Sequence, residues 1–287
     1  MKPILTGRFA PSPTGPLHMG SLITALASYL DAKVKCGQWY VRIDNLDPPR
    51  EDPAATSEIL ASLQAHGLQG ERAIDYQSDH IPRYQEALNR LTDHLFYCTC
   101  SRKSLANQAI YPGTCRRNTT PIADAAIRLR VSSAPITFVD AVVGRQTVDL
   151  AQECGDFIVR RRDGLWAYNF ATAVDDGSDA THVLRGQDLL DVTPPQIYLM
   201  NLLDLSVPAY SHIPLLCFAD GTKLSKQTHA PPLDDSRAVL NLRAALYYLG
   251  MNPPAQPSWP VEQWLEWALA HWEKHALPRQ LPAYMPT

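Results

Sequence analysis

The stretch Gly7 to Ser21, GRFAPSPTGPLHMGS, sets three glycines and three prolines between a short lead-in and a helix-like run, with Arg8 at its start and His18 at its end. Glycines let a backbone approach a phosphate closely, and a helix that begins at such a loop offers unpaired N–H groups to an anion. His18 adds a side chain able to hydrogen-bond a phosphate oxygen. The loop lacks the Lys-Ser/Thr ending of a P-loop and the G-x-G-x-x-G dinucleotide fingerprint, so it is a nucleotide loop of another kind. Far downstream, GTKLSKQ (Gly221 to Gln227) places Lys223 and Lys226 three apart in a glycine-led loop. Lysine is a mobile point charge suited to charge that develops in phosphoryl chemistry. A third cluster, CTCSRKSLANQAIYPGTC, gathers Cys98, Cys100 and Cys115 within eighteen residues. Three thiolates and one further donor satisfy tetrahedral zinc; no histidine lies in the segment, so the fourth place is open and a water can fill it. Taken singly, each feature has a plain alternative: a turn, a polar loop, ordinary free thiols.

The elements that hold these residues alternate in character. Leu22, Ala25, Leu26, Tyr29 and Leu30 fall at helical spacing, and Gly37 can end that helix. Residues 38–44 read as a strand, Asp52 before Pro53 as a helix start, Gly67 as a stop, and 82–95 as a third helix. Strand–helix alternation predicts a parallel sheet covered by helices. From Cys98 to about Ala180 the pattern turns β-rich, in AIRLRV, ITFVDAVV, DFIVRR and LWAYNFATAV, with Asp163–Gly164 as a hairpin signal. The α/β pattern returns at THVLRGQDLL, then 236–249 reads as a helix, 253–260 as a proline-rich linker and 261–274 as a last helix. The expected division is a discontinuous Rossmann-like domain (1–97 and 181–228), an inserted α+β zinc subdomain (98–180) and a helical extension (229–287).

Composition bounds the function. An apolar fraction of 45% supports a globular core. No apolar run reaches the ~18 residues of a membrane helix, and the N-terminus shows no signal peptide. Scattered cysteines beside the cluster fit a reducing cytoplasm. A net charge of −3 gives no global attraction to nucleic acid, so RNA contact must use patches such as Arg116–Arg117 or Arg160–Arg161–Arg162. A cytoplasmic monomer is the expectation.

HMGS and KLSKQ together resemble the HIGH and KMSKS signatures of class I aminoacyl-tRNA synthetases. RFAPSPTGPLHMGS and VRIDNLDPPR are similar to the glutamyl branch, over roughly residues 5 to 250. Only 60 residues follow Gln227, too few for the anticodon-binding region of glutamyl-tRNA synthetases, so the chain resembles the short glutamyl-queuosine tRNA(Asp) synthetase family. The resemblance implies activation of L-glutamate with ATP and Mg²⁺, then transfer to queuosine in the anticodon loop of tRNA(Asp). It assigns glutamate binding to Arg8, Phe9, Ala10, Pro11, Ser12, Asp44, Tyr168 and Arg185, and ATP binding to His18, Gly20, Ser21 and Lys226. Catalytic roles fall to His18, Lys223 and Lys226. One structural zinc is assigned to Cys98, Cys100, Cys115 and the phenolate of Tyr111. A carboxylate substrate suits arginine, whose guanidinium binds it through two parallel bonds. The chain departs from the family pattern R-I-E-D, reading Arg42-Ile43-Asp44-Asn45. Asp44 is one methylene short of the usual glutamate, so a water bridges the gap, the loop shifts inward, or glutamate affinity or selectivity changes. Three other readings stay open: charging of a tRNA 3′ end, a non-catalytic synthetase-like binder, and another nucleotidylyl-transferring enzyme, though the last leaves RFAPSPTG and YNFA unexplained.

Overall fold

A computed structural model describes residues 4–224, 230–255, 258–273, 277–278 and 280–285. Its strands are β1 (Thr6–Phe9), β2 (Gln38–Ile43), β3 (Asp75–Tyr76), β4 (Leu95–Cys98), β5 (Ala126–Leu129), β6 (Ile136–Asp140), β7 (Gly144–Val148), β8 (Phe157–Arg160), β9 (His182–Gly186) and β10 (Ala209–Ile213). Its helices are α1 (Met19–Lys33), α2 (Ala55–Ala65), α3 (Ile81–Arg90), α4 (Leu150–Glu153), α5 (Tyr168–Asp179), α6 (Thr193–Leu202), α7 (Ala238–Tyr248) and α8 (Val261–His271). Five parallel strands form the central sheet in the order β10-β9-β1-β2-β3. The chain thus leaves this sheet after β3 and rejoins it at β9. Between these points lie an antiparallel sheet, β4-β5-β8, and the hairpin β6-β7.

One face of the central sheet is an ordinary apolar core. Phe9, Trp39, Val41, Ile43, Leu184 and Ile213 pack with Leu22, Leu26 and Leu30 of α1 and with Leu242, Leu246 and Trp264 of α7 and α8. Each such buried side chain contributes roughly 1.5–3 kcal/mol relative to exposure. Local stops follow from chain chemistry. Gly67 takes φ +69° after α2, whereas at the end of α1 it is Cys36, not Gly37, that adopts the left-handed conformation (φ 53°). The start of α2 lies beyond Asp52, whose Oδ1 accepts from Ala54 N at 2.9 Å.

One expectation is corrected. LWAYNFATAV, read as β-like, is helical from Tyr168. Phe170, Ala171, Ala173 and Val174 are buried at helical spacing, and that periodicity outweighs the aromatic β-propensity of the segment. The resulting α5 packs on α6 and α3, beside the central sheet.

The second face of the sheet is polar. Gly7 pairs with His182, Arg8 with Tyr40, Tyr210 with Val183 and His212 with Arg185. Strand alternation then puts Arg8, Tyr40, Arg42, Arg185, Tyr210 and His212 on one side. All six are buried, and α5 lays the buried Asp175 and Asp176 over them. Removing one partner from such a buried ion cluster costs about 3–5 kcal/mol. Asp176→Asn should therefore lower the unfolding free energy by about that amount in a denaturant titration; a loss under about 1 kcal/mol would show that the cluster is not held by its charge.

Candidate active site

At the carboxyl ends of β1 and β9 opens a cleft of about 550 Å³, lined by Phe9, Ala10, Pro11, Ser12, His18, Gly20, Ser21, Asp188 and Lys223 among others. This is where parallel α/β sheets bind ligands. His18 is the N-cap of α1: its Nδ1 accepts from the backbone N–H of Ser21 at 3.2 Å. The neutral ring therefore carries its proton on Nε2. A Cβ at Gly20 would stand 3.2 Å from the His18 ring, so a larger residue there would press on the imidazole. Across the cleft Lys223 Nζ meets Asp188 Oδ2 at 2.5 Å. A Cβ at Gly186 would lie 2.6 Å from the Asp188 carboxylate, so only glycine leaves that acid in place. Lys226 lies outside the described residues.

Arg8, Asp44, Tyr168 and Arg185 do not line the cleft. Three of them stand in the polar layer behind it. Arg8 grips Asp176 through Nε (3.1 Å) and Nη2 (2.8 Å), and Arg42 donates to the same carboxylate through Nη1 (2.8 Å). Burial opposes charge on Asp176, but Arg8 and Arg42 hold it ionised well below the usual carboxylate range. Asp175 accepts hydrogen bonds from a different set, Gln77, His80 and Tyr84, at 2.8, 2.8 and 2.6 Å, and also stands 3.9 Å from Arg42 Nε. Arg185 donates from Nε to His212 Nε2 at 3.0 Å, and from Nη2 to Thr193 Oγ1 and Gln196 Oε1 at 2.8 Å each. Its Nη1, and the hydroxyl of Tyr40, are buried without a hydrogen-bond partner among the described residues. Both hydrogens of Arg185 Nη2 are taken, so the fork of two parallel bonds expected from the sequence is not on offer. The guanidinium presents Nη1 alone. Tyr168 is the first residue of α5, 42% exposed, with its phenol in electrostatic reach of Arg8 and Tyr210.

Asp44 turns toward Arg42, whose Nε donates at 2.7 Å to Oδ1 while Nη2 stands 3.5 Å from Oδ2. Burial lifts its carboxyl to about 6, against the opposing pull of Arg42. Oδ2 is the less committed oxygen. Asn45, in place of the usual second acid, exchanges hydrogen bonds with Ser78 instead.

Arg42, Asp175, Asp176, Asp140, Gln196 and His212 are absent from the sequence-based site. The signal that points to them is a charge inside an apolar strand or helix, as in YVRI, FATAVDD and YSHIPLL, because an ion there needs a buried partner. The basic patches are engaged in the fold: Arg116 with Asp156, Arg161 with Asp47 and Asp163, Arg162 with the carbonyl of Thr99, and Arg160 over the Trp166 ring.

The cysteine cluster closes into a plausible metal geometry. The Sγ atoms of Cys98, Cys100 and Cys115 lie within 4.8 Å of one another. Cys100 and Cys115 are 3.6 Å apart, and Tyr111 Oη stands 3.5 Å from Cys98 Sγ and 3.9 Å from Cys100 Sγ. A tetrahedral zinc with ~2.3 Å bonds to sulfur requires edges of about 3.8 Å, so the donor set fits. Burial and the neighbouring thiols raise the Tyr111 phenol, so its oxygen joins as phenolate only when a metal displaces the proton.

A parallel sheet with a cleft at its carboxyl edge, a capping histidine and an inserted β-rich unit is the frame on which the comparison places a class I synthetase catalytic domain. The family model for tRNA synthetases class I (E and Q), catalytic domain, matches residues 4–237. The chain is 48% identical over 280 residues to a glutamyl-Q tRNA(Asp) synthetase of Pseudomonas fluorescens, covering 96% of this chain and 94% of that one. It is 46% identical over 288 residues to that of Neisseria meningitidis serogroup B, covering 96% and 97%. In fold it superposes on the glutamate-tRNA synthetase of Elizabethkingia anophelis with a TM-score of 0.79 at 21% identity, over 99% of this chain and 68% of that one. The chain belongs to the glutamyl-Q tRNA(Asp) synthetase family, within the class I (E and Q) synthetases.

Changing Cys100 to Ser removes one donor of four. The expected result is release of zinc and a lower melting temperature, with little change in glutamate affinity. Metal analysis of protein purified without chelators is the check; no zinc in the parent, with three freely titratable thiols, would end the assignment.

Proposed function

We propose that this chain activates L-glutamate with ATP to glutamyl-adenylate and transfers the glutamyl group to queuosine in the anticodon loop of tRNA(Asp). The observation that carries the reading is coverage: the similarity to glutamyl-Q tRNA(Asp) synthetases runs through nearly the whole of both chains. The site is chemically suited to the first step. Glutamate has two carboxylates and one ammonium, and the polar layer holds the Arg8 guanidinium, the Arg185 Nη1 that has no partner among the described residues, and the Asp44 carboxylate. The α-carboxylate attacks the α-phosphorus of ATP in line and pyrophosphate leaves, a reaction governed by positioning and charge stabilisation. His18, with its Nε2 proton, the N-terminal turn of α1 at Gly20 and Ser21, and Lys223 and Lys226 are suited to the phosphates. Mg²⁺ arrives with ATP and neutralises phosphate charge. Phe9, Ala10, Pro11 and Ser12 carry the chain between the two substrates, and zinc at Cys98, Cys100, Tyr111 and Cys115 pins the insertion. Free thiols and a tRNA substrate favour the cytoplasm. Among the described residues, no helix is long and apolar enough to cross a membrane.

Radiolabelled glutamate tests the acceptor. The label should enter queuosine-containing tRNA(Asp), should not enter the unmodified tRNA, and should survive removal of the 3′ terminus. Incorporation into the 3′ end of tRNA(Glu) would favour the charging enzyme instead.

Asp44 gives the reading a pH signature. A carboxyl that titrates near 6 is neutral below that pH and cannot hold an ammonium. For glutamate-dependent ATP–pyrophosphate exchange, kcat/KM should fall as pH drops through about 6, toward tenfold per unit. Asp44→Asn should lose about 2–5 kcal/mol of transition-state binding and, with it, this acid limb. A full-activity Asn variant would send the search to another acid, Asp47 first.

A further inference from the structure

We propose that Asp140 and His212 are positioning residues for Arg185, locking its guanidinium so that Nη1 alone faces a carboxylate of the amino-acid substrate. The inference rests on the reading that this site takes glutamate, and adds to it the device that aims one of its arginines.

The geometry is a buried relay across two parts of the fold. Asp140 ends β6 and is 1% exposed; His212 on β10 is 0% exposed and Arg185 on β9 is 3% exposed. One oxygen of Asp140, Oδ1, accepts from the backbone N–H groups of Val142 and Val143 at 2.9 Å each and of His212 at 3.2 Å. The other, Oδ2, accepts from His212 Nδ1 at 2.7 Å. A neutral imidazole with its proton on Nδ1 has a lone pair on Nε2, and that atom accepts from Arg185 Nε at 3.0 Å. Burial lowers the His212 pKa, which keeps the ring neutral. Asp140 stays anionic: burial opposes its charge, but hydrogen bonds from His212 and the backbone bring it to about 2. With Nε fixed by His212 and Nη2 by Thr193 and Gln196, the guanidinium plane has no freedom to rotate. Its one remaining nitrogen is the buried Nη1, which has no hydrogen-bond partner among the described residues. A donor left unsatisfied in a buried layer costs free energy until a ligand meets it, which directs the site to an anionic oxygen.

Asp140→Asn is the diagnostic change because it is isosteric. The amide oxygen must keep the three backbone N–H groups, so the amide nitrogen faces His212 Nδ1 as a donor. The proton of the ring moves to Nε2, where it confronts the donor Nε of Arg185 and can turn only to Thr193 Oγ1 at 3.0 Å, so the Arg185–His212 bond is lost and the guanidinium turns away. The same logic of tautomer control by a carboxylate operates in hydrolytic triads. The measurement is glutamate-dependent ATP–pyrophosphate exchange with KM resolved for each substrate. The expected result for Asp140→Asn and His212→Leu is a KM for glutamate raised about tenfold or more, the effect of losing one hydrogen bond to a charged group, with the KM for ATP within about twofold. His212→Gln keeps an acceptor near the Nε2 position and should recover part of the loss. In an Arg185→Ala background, Asp140→Asn should add nothing further to the glutamate KM.

The outcomes separate two failures. If Arg185→Ala raises the glutamate KM but Asp140→Asn and His212→Leu do not, the relay is wrong and the glutamate site stands. If Arg185→Ala leaves the glutamate KM unchanged, the assignment of Arg185 to the substrate fails and the relay falls with it. Equal rises in both Michaelis constants would mark a structural role only. Should a variant fail to fold, nitrogen-15 spectra of histidine in the unaltered protein decide the matter. A ring at His212 protonated on Nδ1 supports the relay, and one protonated on Nε2 overturns it.

Discussion

Asp176 accepts from two buried guanidinium groups at once, and the amino-acid end of the site depends on that sharing. A sheet face that carries Arg8, Arg42 and Arg185 where an α/β sheet ordinarily carries Val, Ile or Leu is unstable alone, because an isolated ion in a low-dielectric interior is neutralised or excluded. The acids come from α5. Successive helical residues point about 100° apart, so Asp175 and Asp176 serve different clients. Asp176 takes Arg8 and Arg42, while Asp175 takes Gln77, His80 and Tyr84 near β3 and α3. One turn of helix thereby ties two strands, the 77–80 turn and α3 to a single charge pattern. Coulombic attraction at these distances is strong where water is excluded, and hydrogen bonds on both carboxylates make the geometry directional.

On the proposed reading, the two substrates lie on different structural features. The nucleotide side is an edge: the 9–21 loop, the first turn of α1 and the 186–188 and 221–224 segments surround an open cleft. The amino-acid side is a face: side chains standing on β1, β2, β9 and β10 beneath α5 and α6. β1 belongs to both, because Arg8 lies on the polar face and Phe9 on the apolar one, while the residues immediately after it form the wall of the cleft. Chemistry between a carboxylate and a phosphate has to happen where face meets edge, and the segment Ala10 to Ser12 is at that junction. On that reading, a short run serves both substrates without a catalytic acid or base of its own.

Much of the edge is legible in the sequence and little of the face is. A loop announces itself through local composition: glycines, prolines, a capping residue and a lysine pair all act within a few residues of where they stand. Gly67 and the Asp163–Gly164 turn are read the same way, and Gly164 does take φ +86°. The cysteine set is legible because three thiols within eighteen residues are few enough to converge whatever the loop does. The face is different. Arg8 meets Asp176 across 168 positions and His212 meets Asp140 across 72. No local pattern carries such distances. The family resemblance supplies Arg8, Tyr168 and Arg185 but not the residues that hold them. The one misread element, 165–174, has the same origin: Trp, Tyr and Phe suggest a strand by propensity, and only burial under the sheet shows the helical spacing of Phe170, Ala173 and Val174.

Arginine's partial commitment bears on selectivity. On the proposed reading, Arg8 and Arg185 each meet the substrate with nitrogen hydrogens only, and on Arg185 the Nε and Nη2 donors are engaged by the protein. A carboxylate at the distal end of the substrate supplies acceptors in every orientation. A carboxamide supplies an acceptor in one orientation and sets N–H against N–H in the other. A pocket that had spare acceptors could absorb the wrong orientation, but a guanidinium has none. Of the acceptors nearby, Asp176 is taken by two arginines, and Gln196 Oε1 and the His212 lone pair by Arg185, while Asp44 Oδ2 and the Tyr40 hydroxyl are left over for the rest of the substrate. On that reading, hydrogen-bond polarity at Arg185 favours the acid over its amide. That preference does not require a larger or smaller pocket, and a rigid arginine enforces it better than a flexible lysine, whose single nitrogen can move aside.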